Sequence, residues 1–294
     1  MSETSLTVPL LTLCAAAFFG MSANAVRAGL RSLQSRIGAI ISIASTTCCY
    51  LLLAPFWMRS EDWSNPGLLL FALFGLLHPW LSRYMAYEAN RRVGATISAT
   101  FEANSPLLTA LLAVLFLGEV LTPLLGTGTL LTVAGICWIY WNREVAASIM
   151  RAAAVLALGA MILRALLVVI SKVGLEMMPN PIMGAFATYT VSLMCALGYH
   201  LVRTPRTRIP LNSIGGRWFL LTGVLTATGT GCLFSALLLG EVIVVSPILA
   251  SYPLFTMAVA WLLATEKLSR RAVGGVIVTV CGVILVSLAA ASNP

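Results

Sequence analysis

Among the ionisable residues inside the long apolar stretches of this 294-residue chain are His78, Glu102 and Arg164. Each residue type carries a definite chemistry. An imidazole and a carboxylate at one depth can pass a proton between them. A guanidinium among apolar neighbours demands an anion, either Glu102 or a substrate carboxylate or phosphate. Glu102 also belongs to a pattern, because Ser98, Glu102, Ser105 and Thr109 recur at i, i+4, i+7 and i+11. On a helix that spacing makes one polar stripe. The stripe, His78 and Arg164 point to a polar pocket in an apolar surrounding, with His78 and Glu102 as a proton-carrying pair.

The elements that must position these residues follow from composition. The sequence is 59% hydrophobic and 10% charged, against about 25% charged in soluble domains. Ten apolar runs approach the roughly 20 residues a bilayer core requires: 7–30, 37–58, 67–88, 94–117, 121–141, 151–173, 181–202, 216–238, 242–264 and 269–291. The N-terminus has no basic n-region or small-residue cleavage site, so the first run is read as a retained helix. At the helical rise, Glu102 lies roughly 12 Å into helix 4 and Arg164 roughly 20 Å into helix 6. A charge at such depth faces the bundle interior, water or a partner.

Net charge is +8, and its distribution excludes a nucleic-acid groove. Of 18 lysines and arginines, Arg27, Arg83 and Arg164 lie within helices, and Arg59 and Lys172 fall on one face. The other thirteen fall in the loops after helices 1, 3, 5, 7 and 9. That asymmetry places those loops in the cytoplasm and both termini outside it. Seven cysteines, all in apolar runs without a C-x-x-C pair, read as packing residues, and two distant histidines make no metal cluster. No G-x-S-x-G, H-E-x-x-H or P-loop occurs, and the one aspartate, Asp62, is in a loop. The chain is therefore not expected to be an enzyme, and no cofactor or metal is expected.

An internal repeat organises the helices. L-F-L-G-E-V-L-T at 115–122 matches L-L-A-T-E-K-L-S at 262–269, an offset of 147. The same offset pairs Pro106 with Pro253, Thr109 with Thr256, Gly128 with Gly275, and Gly135 with Gly282. An offset of 145 pairs Arg27-Ala-Gly-Leu with Lys172-Val-Gly-Leu. Two five-helix units, 1–145 and 146–294, are implied. An odd helix number makes the second unit inverted, the architecture of many secondary transporters. The expected fold is thus an all-α membrane protein of ten transmembrane helices in two inverted five-helix repeats.

Polar residues kept in both units are read as structural. Glu119 and Glu266 should cap helix ends at the hairpins, each near the start of its next helix. Pro106 and Pro253 should bend helices 4 and 9 beside the central site. Polar residues present once are read as functional. They are His78, Glu102 and Arg164; Asn24, Ser98, Ser105 and Thr226 join them as polar candidates on helix faces toward the pocket. Trp80, Tyr84 and Tyr252 are aromatic candidates for the pocket. Helices 1, 3, 4, 6, 8 and 9 should line it, leaving 2, 5, 7 and 10 as scaffold.

Three segments carry a family resemblance: F-F-G-M-S-A-N-A-V-R-A-G-L in helix 1, N-S-P-L-L-T-A-L-L-A-V-L-F-L-G-E-V-L-T over helices 4 and 5, and S-Y-P-L-F-T-M-A-V-A-W-L-L-A-T-E-K-L-S over 9 and 10. The chain resembles the ten-helix branch of the drug/metabolite transporter superfamily, built of two EamA-type repeats. It departs in having Phe19 where tryptophan is frequent, and T-E-K where G-E is usual. The resemblance implies a carrier of small organic solutes, with export of amino acids or related compounds across an inner membrane as the expected task. A lipid-linked sugar flippase or other lipid carrier, and a non-transporting membrane scaffold, are the alternatives. The expected partners are a small-molecule substrate and the bilayer, with no nucleic acid, and the pattern is compatible with a monomer.

Overall fold

The computed structural model describes residues 3–57, 59–89, 92, 104–140, 151–203, 209–263 and 270–292. The predicted segment containing Ser98 and Glu102, and the loop containing Glu266, lie outside the described residues. Among those described, the chain is helical and has no strand.

The helices run in chain order as α1 (Glu3–Gly29), α2 (Ser35–Trp57), α3a (Pro66–Gly75), α3b (80–89), α4 (Ser105–Leu117) and α5 (Pro123–Tyr140) in the first half. The second half holds α6 (Arg151–Met177), α7 (Pro181–Arg203), α8 (Ile214–Leu239), α9a (Val242–Leu249), α9b (Tyr252–Leu262) and α10 (Arg270–Ser292). Eight spans among the described residues are long and apolar enough to cross a bilayer, and Ser105–Leu117 and Pro123–Ile139 are shorter apolar helices. Apolar side chains such as Leu52, Phe56, Phe116 and Val202 are exposed, as a lipid-facing surface requires.

Two spans are broken. In the third, Asn65 caps α3a by accepting the Gly67 N–H at 2.8 Å, with Pro66 opening the helix. The helix stops at Gly75, turns through 76–79, and resumes as α3b. Pro79, joined to His78 by a cis bond, has no N–H to offer the ladder. In the ninth span the break falls at Ala250–Ser251, with Pro253 in the first turn of α9b. Pro106 sits in the first turn of the described part of α4 in the same way. Irregular backbone at this depth is tolerated where protein or a cavity covers it.

The pattern of packed helices is two-fold. α1 packs on α8 as α6 packs on α3, α2 on α8 as α7 on α3, and α1 on α9 as α6 on α4. The pairs α2–α7, α4–α9 and α5–α10 map onto themselves. Exchange of the halves therefore preserves the neighbours, which is the signature of an inverted repeat.

The α5–α10 pair explains the repeated glycines. Gly128, Thr132 and Gly135 face Gly275, Thr279 and Gly282, and each set is the 147-residue translate of the other. A methyl group at Gly282 would lie 2.7 Å from the Gly128 carbonyl oxygen, and one at Gly135 would lie 2.7 Å from that of Gly275. The Thr132 and Thr279 hydroxyls fold back onto the Gly128 and Gly275 carbonyls at 2.9 and 2.8 Å. Each hydroxyl is thus satisfied within its own helix, and the backbones approach closely.

Glu119 acts elsewhere than on its own hairpin. α4 ends on Gly118, whose φ of 69° is left-handed and suits glycine. The α5 start is served by Thr122, whose hydroxyl accepts the Leu125 N–H at 3.3 Å. The Glu119 carboxylate instead reaches into the other repeat and takes the N–H groups of Val242 and Ile243, each at 2.8 Å. These are orphan donors of the α9a N-terminus. Lys172 of α6 closes the same hairpin from the opposite sign, donating to the carbonyls of Leu237 and Gly240 at 3.1 Å each. The repeated acid and base of the sequence thus clasp one hairpin between them.

Candidate functional site

A cavity of about 230 Å³ lies between the halves. α1 contributes Phe19, Ser22, Ala23 and Val26, and the third span contributes His78, Ser82, Arg83, Ala86 and Tyr87. Ala160, Arg164, Leu167 and Val168 come from α6, Tyr189 from α7, Thr226, Thr230 and Leu233 from α8, and Leu249 and Tyr252 from the ninth span. Both broken spans reach it at their breaks, through His78 and Leu249–Tyr252.

Among the sequence-predicted residues, His78, Arg164, Thr226 and Tyr252 meet here. The His78 Nδ1 lies 2.7 Å from the Ser82 hydroxyl, and its ring stacks on Phe74. The Arg164 guanidinium lies over the Tyr252 ring, 4.8 Å from the centroid. Thr226 donates to the Thr222 carbonyl at 2.7 Å, so across 3.2 Å it accepts the Ser22 hydroxyl proton, tying α8 to α1.

Four others are placed differently. Asn24 donates to the carbonyls of Gly20 and Thr256, at 3.2 and 3.0 Å, and joins α1 to α9b away from the cavity lining. Trp80 and Tyr84 stack on each other, with centroids 5.8 Å apart, and Trp80 also meets Tyr199 of α7. The Trp80 ring is packing between α3b and α7, with Tyr84 stacked on it. Ser105 is buried, and its carbonyl accepts from Thr109 at 2.9 Å. It opens the described part of α4, no described residue of which lines the cavity.

Arg83 and Tyr189 were not among the expected site residues. Arg83 donates to the Ser42 hydroxyl and the Tyr189 hydroxyl, each at 3.0 Å, and lies 5.3 Å from the Tyr189 ring centroid. Tyr189 in turn meets Thr230 at 3.2 Å. The repeat holds the signal for Arg83: at an offset of 147 its counterpart is Thr230. It is therefore a single-copy charge like Arg164, although its depth within helix 3 attracts no notice by itself. Tyr189 lies on α7, a helix expected to be scaffold, and its aromatic type gives no sign that its hydroxyl faces inward. Among the described residues, the lining carries two guanidiniums and no carboxylate, and no cluster of three or more metal-ligating side chains occurs.

A cavity between inverted halves, reached by two discontinuous helices, is the arrangement in which secondary transporters hold solute. The EamA-like transporter family matches twice, over residues 6–141 and 151–288. None of the curated proteins matches the sequence. A crystal structure of another protein superposes on 96% of this chain and 98% of its own, with a TM-score of 0.78 and 13% identity. At that identity the likeness speaks for the fold alone. Two family matches that together span nearly the whole chain, one on each half of a two-fold helix array, make this protein a member of the EamA-like transporter family, a multi-pass membrane transporter.

Proposed function

We propose that the protein is a secondary carrier that exports amino acids or related small organic metabolites across the inner membrane. In this reading the two halves rock about the cavity to expose it to each side in turn, with both termini outside the cytoplasm. The observation that carries the reading is the cavity itself, polar in part and lined from both repeats, with Arg164 over Tyr252. Its volume lies below the roughly 300–1,000 Å³ of drug-sized pockets, which suits a small metabolite. The distribution of arginine supports the orientation. His78 and Arg164 bind the solute, and Glu102, with His78, couples a proton.

The test is flux of labelled amino acids into proteoliposomes, with and without a pH gradient. Flux that is lost in Arg164→Ala and Glu102→Gln, while both variants still purify as folded protein, is the expected result. Undiminished flux in both variants removes these residues from the mechanism. Absence of flux for every solute removes the carrier.

A further inference from the structure

We propose that α9a is the gate on the non-cytoplasmic side of the cavity, and that Glu119 and Lys172 latch it shut by holding the backbone of the α8–α9 hairpin. The proposal rests on the carrier reading for the side it assigns, and on helix-end geometry for the latch.

The cavity is unevenly placed. Toward the face assigned to the cytoplasm its lining runs close to the helix ends. Val26 lies three residues before the end of α1, and Tyr87 two before the end of α3b. Toward the opposite face the lining stops short. Leu233 lies six residues before the end of α8, and the ninth span contributes nothing beyond Leu249, the cavity end of α9a. From Leu249 to that face the span is α9a itself, and all eight of its residues are buried. At the helical rise they make about 12 Å of closed packing.

α9a is also a separate piece. Gly240 and Glu241 are extended, so α9a does not continue α8. At its other end the ladder breaks at Ala250–Ser251, because Pro253 has no N–H for the Leu249 carbonyl. A short rod with a joint at each end can swing as a unit.

The outer joint is held by two side chains of opposite sign, and all four bonds go to backbone. Glu119, at the tail of α4, accepts from Val242 and Ile243 at the positive end of α9a. Lys172, on α6, donates to Leu237 and Gly240 at the negative end of α8. Glu176, largely exposed, lies 3.5 Å from the same ammonium. α4 and α6 pack on each other, so acid and base grip the hairpin from one body. Opening this face parts the hairpin from that body and releases all four backbone groups together. Each then meets water in place of its partner. Because water replaces them, the net worth of such bonds is modest, and the latch is reversible. Neither residue lines the cavity, so both act by positioning the gate.

The test reads access to the cavity from one side. The full chain, its seven native cysteines replaced by alanine, carries the single change Leu233→Cys. Leu233 lines the cavity from α8, so fraying of α9a alone does not expose it. Spheroplasts present only the non-cytoplasmic face to a membrane-impermeant methanethiosulfonate. Modification should be slow with the latch intact and roughly tenfold faster in Glu119→Gln or Lys172→Gln, the scale of one charged hydrogen bond. Lys172→Gln carries the test alone if Glu119→Gln does not fold. Ala185→Cys, fully buried on α7 near the same face and away from the cavity lining, reports general loosening and should not change. One rate for Leu233→Cys with and without the latch, or Ala185→Cys accelerated alongside it, overturns the gate. Flux of labelled solute in proteoliposomes tests the carrier separately. Flux in a chain whose Leu233→Cys rate ignores the latch leaves the carrier standing without this gate. A latch-dependent rate without flux of any solute leaves the gate standing without the carrier.

Discussion

Glu119 and Val242 lie 123 positions apart, in different repeats, and the carboxylate of the first accepts the backbone N–H of the second at 2.8 Å. The other carboxylate oxygen takes the N–H of Ile243 at the same distance. One side chain therefore satisfies two of the orphan donors at the head of α9a, the helix whose far end breaks beside the cavity. Loss of an N-terminal cap costs about 0.5–2 kcal/mol. Glu119→Ala should accordingly lower the melting temperature in detergent. Glu119→Gln keeps one oxygen acceptor and should fall between. Equal melting of wild type and Glu119→Ala would mean the clasp contributes nothing.

The same carboxylate gives a pH dependence with a definite sign. Burial pushes the Glu119 carboxyl above its ordinary 4.5, outweighing the two N–H bonds and the neighbouring Lys172, which pull it down. The fold thus holds this proton more tightly than the unfolded chain does. Its contribution to stability is greatest at low pH and falls as pH rises from 4.5 through the raised value, then levels. The difference in melting temperature between wild type and Glu119→Gln should decline across that window and be flat above it. A difference that grows with pH there would reverse the assignment.

Neighbouring glycines in α10 offer a matched comparison. A methyl at Gly275 would meet the Gly135 carbonyl oxygen at 2.8 Å, but one at Gly274 would meet nothing nearer than Trp138 at 3.9 Å. Overpacking typically costs about 1–3 kcal/mol. Gly275→Ala should lower thermal stability by that order, and Gly274→Ala should leave it unchanged or raise it slightly by removing helix glycine. A reversed order would show that the seam between α5 and α10 is not where the backbones touch.

The fold was legible because lipid writes it plainly. Twenty-residue apolar runs, arginine concentrated in alternate loops and a 147-residue repeat suffice for ten spans in two inverted units. The site was legible only in part, for a physical reason. Depth can be counted along one helix, but the face a side chain presents depends on which helix lies beside it. His78, Arg164, Thr226 and Tyr252 reach the cavity, whereas Trp80, at an equally promising position, turns toward α7 with Tyr84 stacked on it. The acid of the hairpin was legible as a cap, but its partner was not. That the cap is given to the other repeat follows from the α4–α9 pairing, which is a tertiary fact. The repeat marks Arg83 only faintly, since its Thr230 counterpart is polar too and the two differ in charge alone.

Asn24 was expected to reach the solute, and its geometry assigns it a different task. Its amide bridges the Thr256 carbonyl at 3.0 Å, across the α1–α9b contact. Hydrogen bonds between membrane helices average about 0.6 kcal/mol, with a maximum near 1.7. Asn24→Ala should therefore cost a small amount of thermal stability and leave the KM for solute unchanged. A large rise in KM with intact stability would return Asn24 to the binding site.

Arg164 and Tyr252 supply the sharpest test of the cavity, because the ring can be changed without touching the charge. The guanidinium carbon lies 4.8 Å from the ring centroid, within the roughly 6 Å over which a cation is drawn to an aromatic face. That attraction is worth about 0.5–2 kcal/mol, the upper end in a desolvated setting. In the proposed site it would set the direction in which Arg164 offers its N–H groups to a solute. Tyr252→Phe keeps the face and removes only the hydroxyl, so binding of an anionic solute should change little if the face is what orients Arg164. Tyr252→Leu keeps apolar bulk and removes the face, freeing the guanidinium to adopt other rotamers. Binding should then weaken by roughly two- to thirty-fold, the range that energy corresponds to. Titration of the three proteins with the same anion decides it: Phe and Leu variants equally impaired would assign the role to the hydroxyl, and neither impaired would remove Tyr252 from the site.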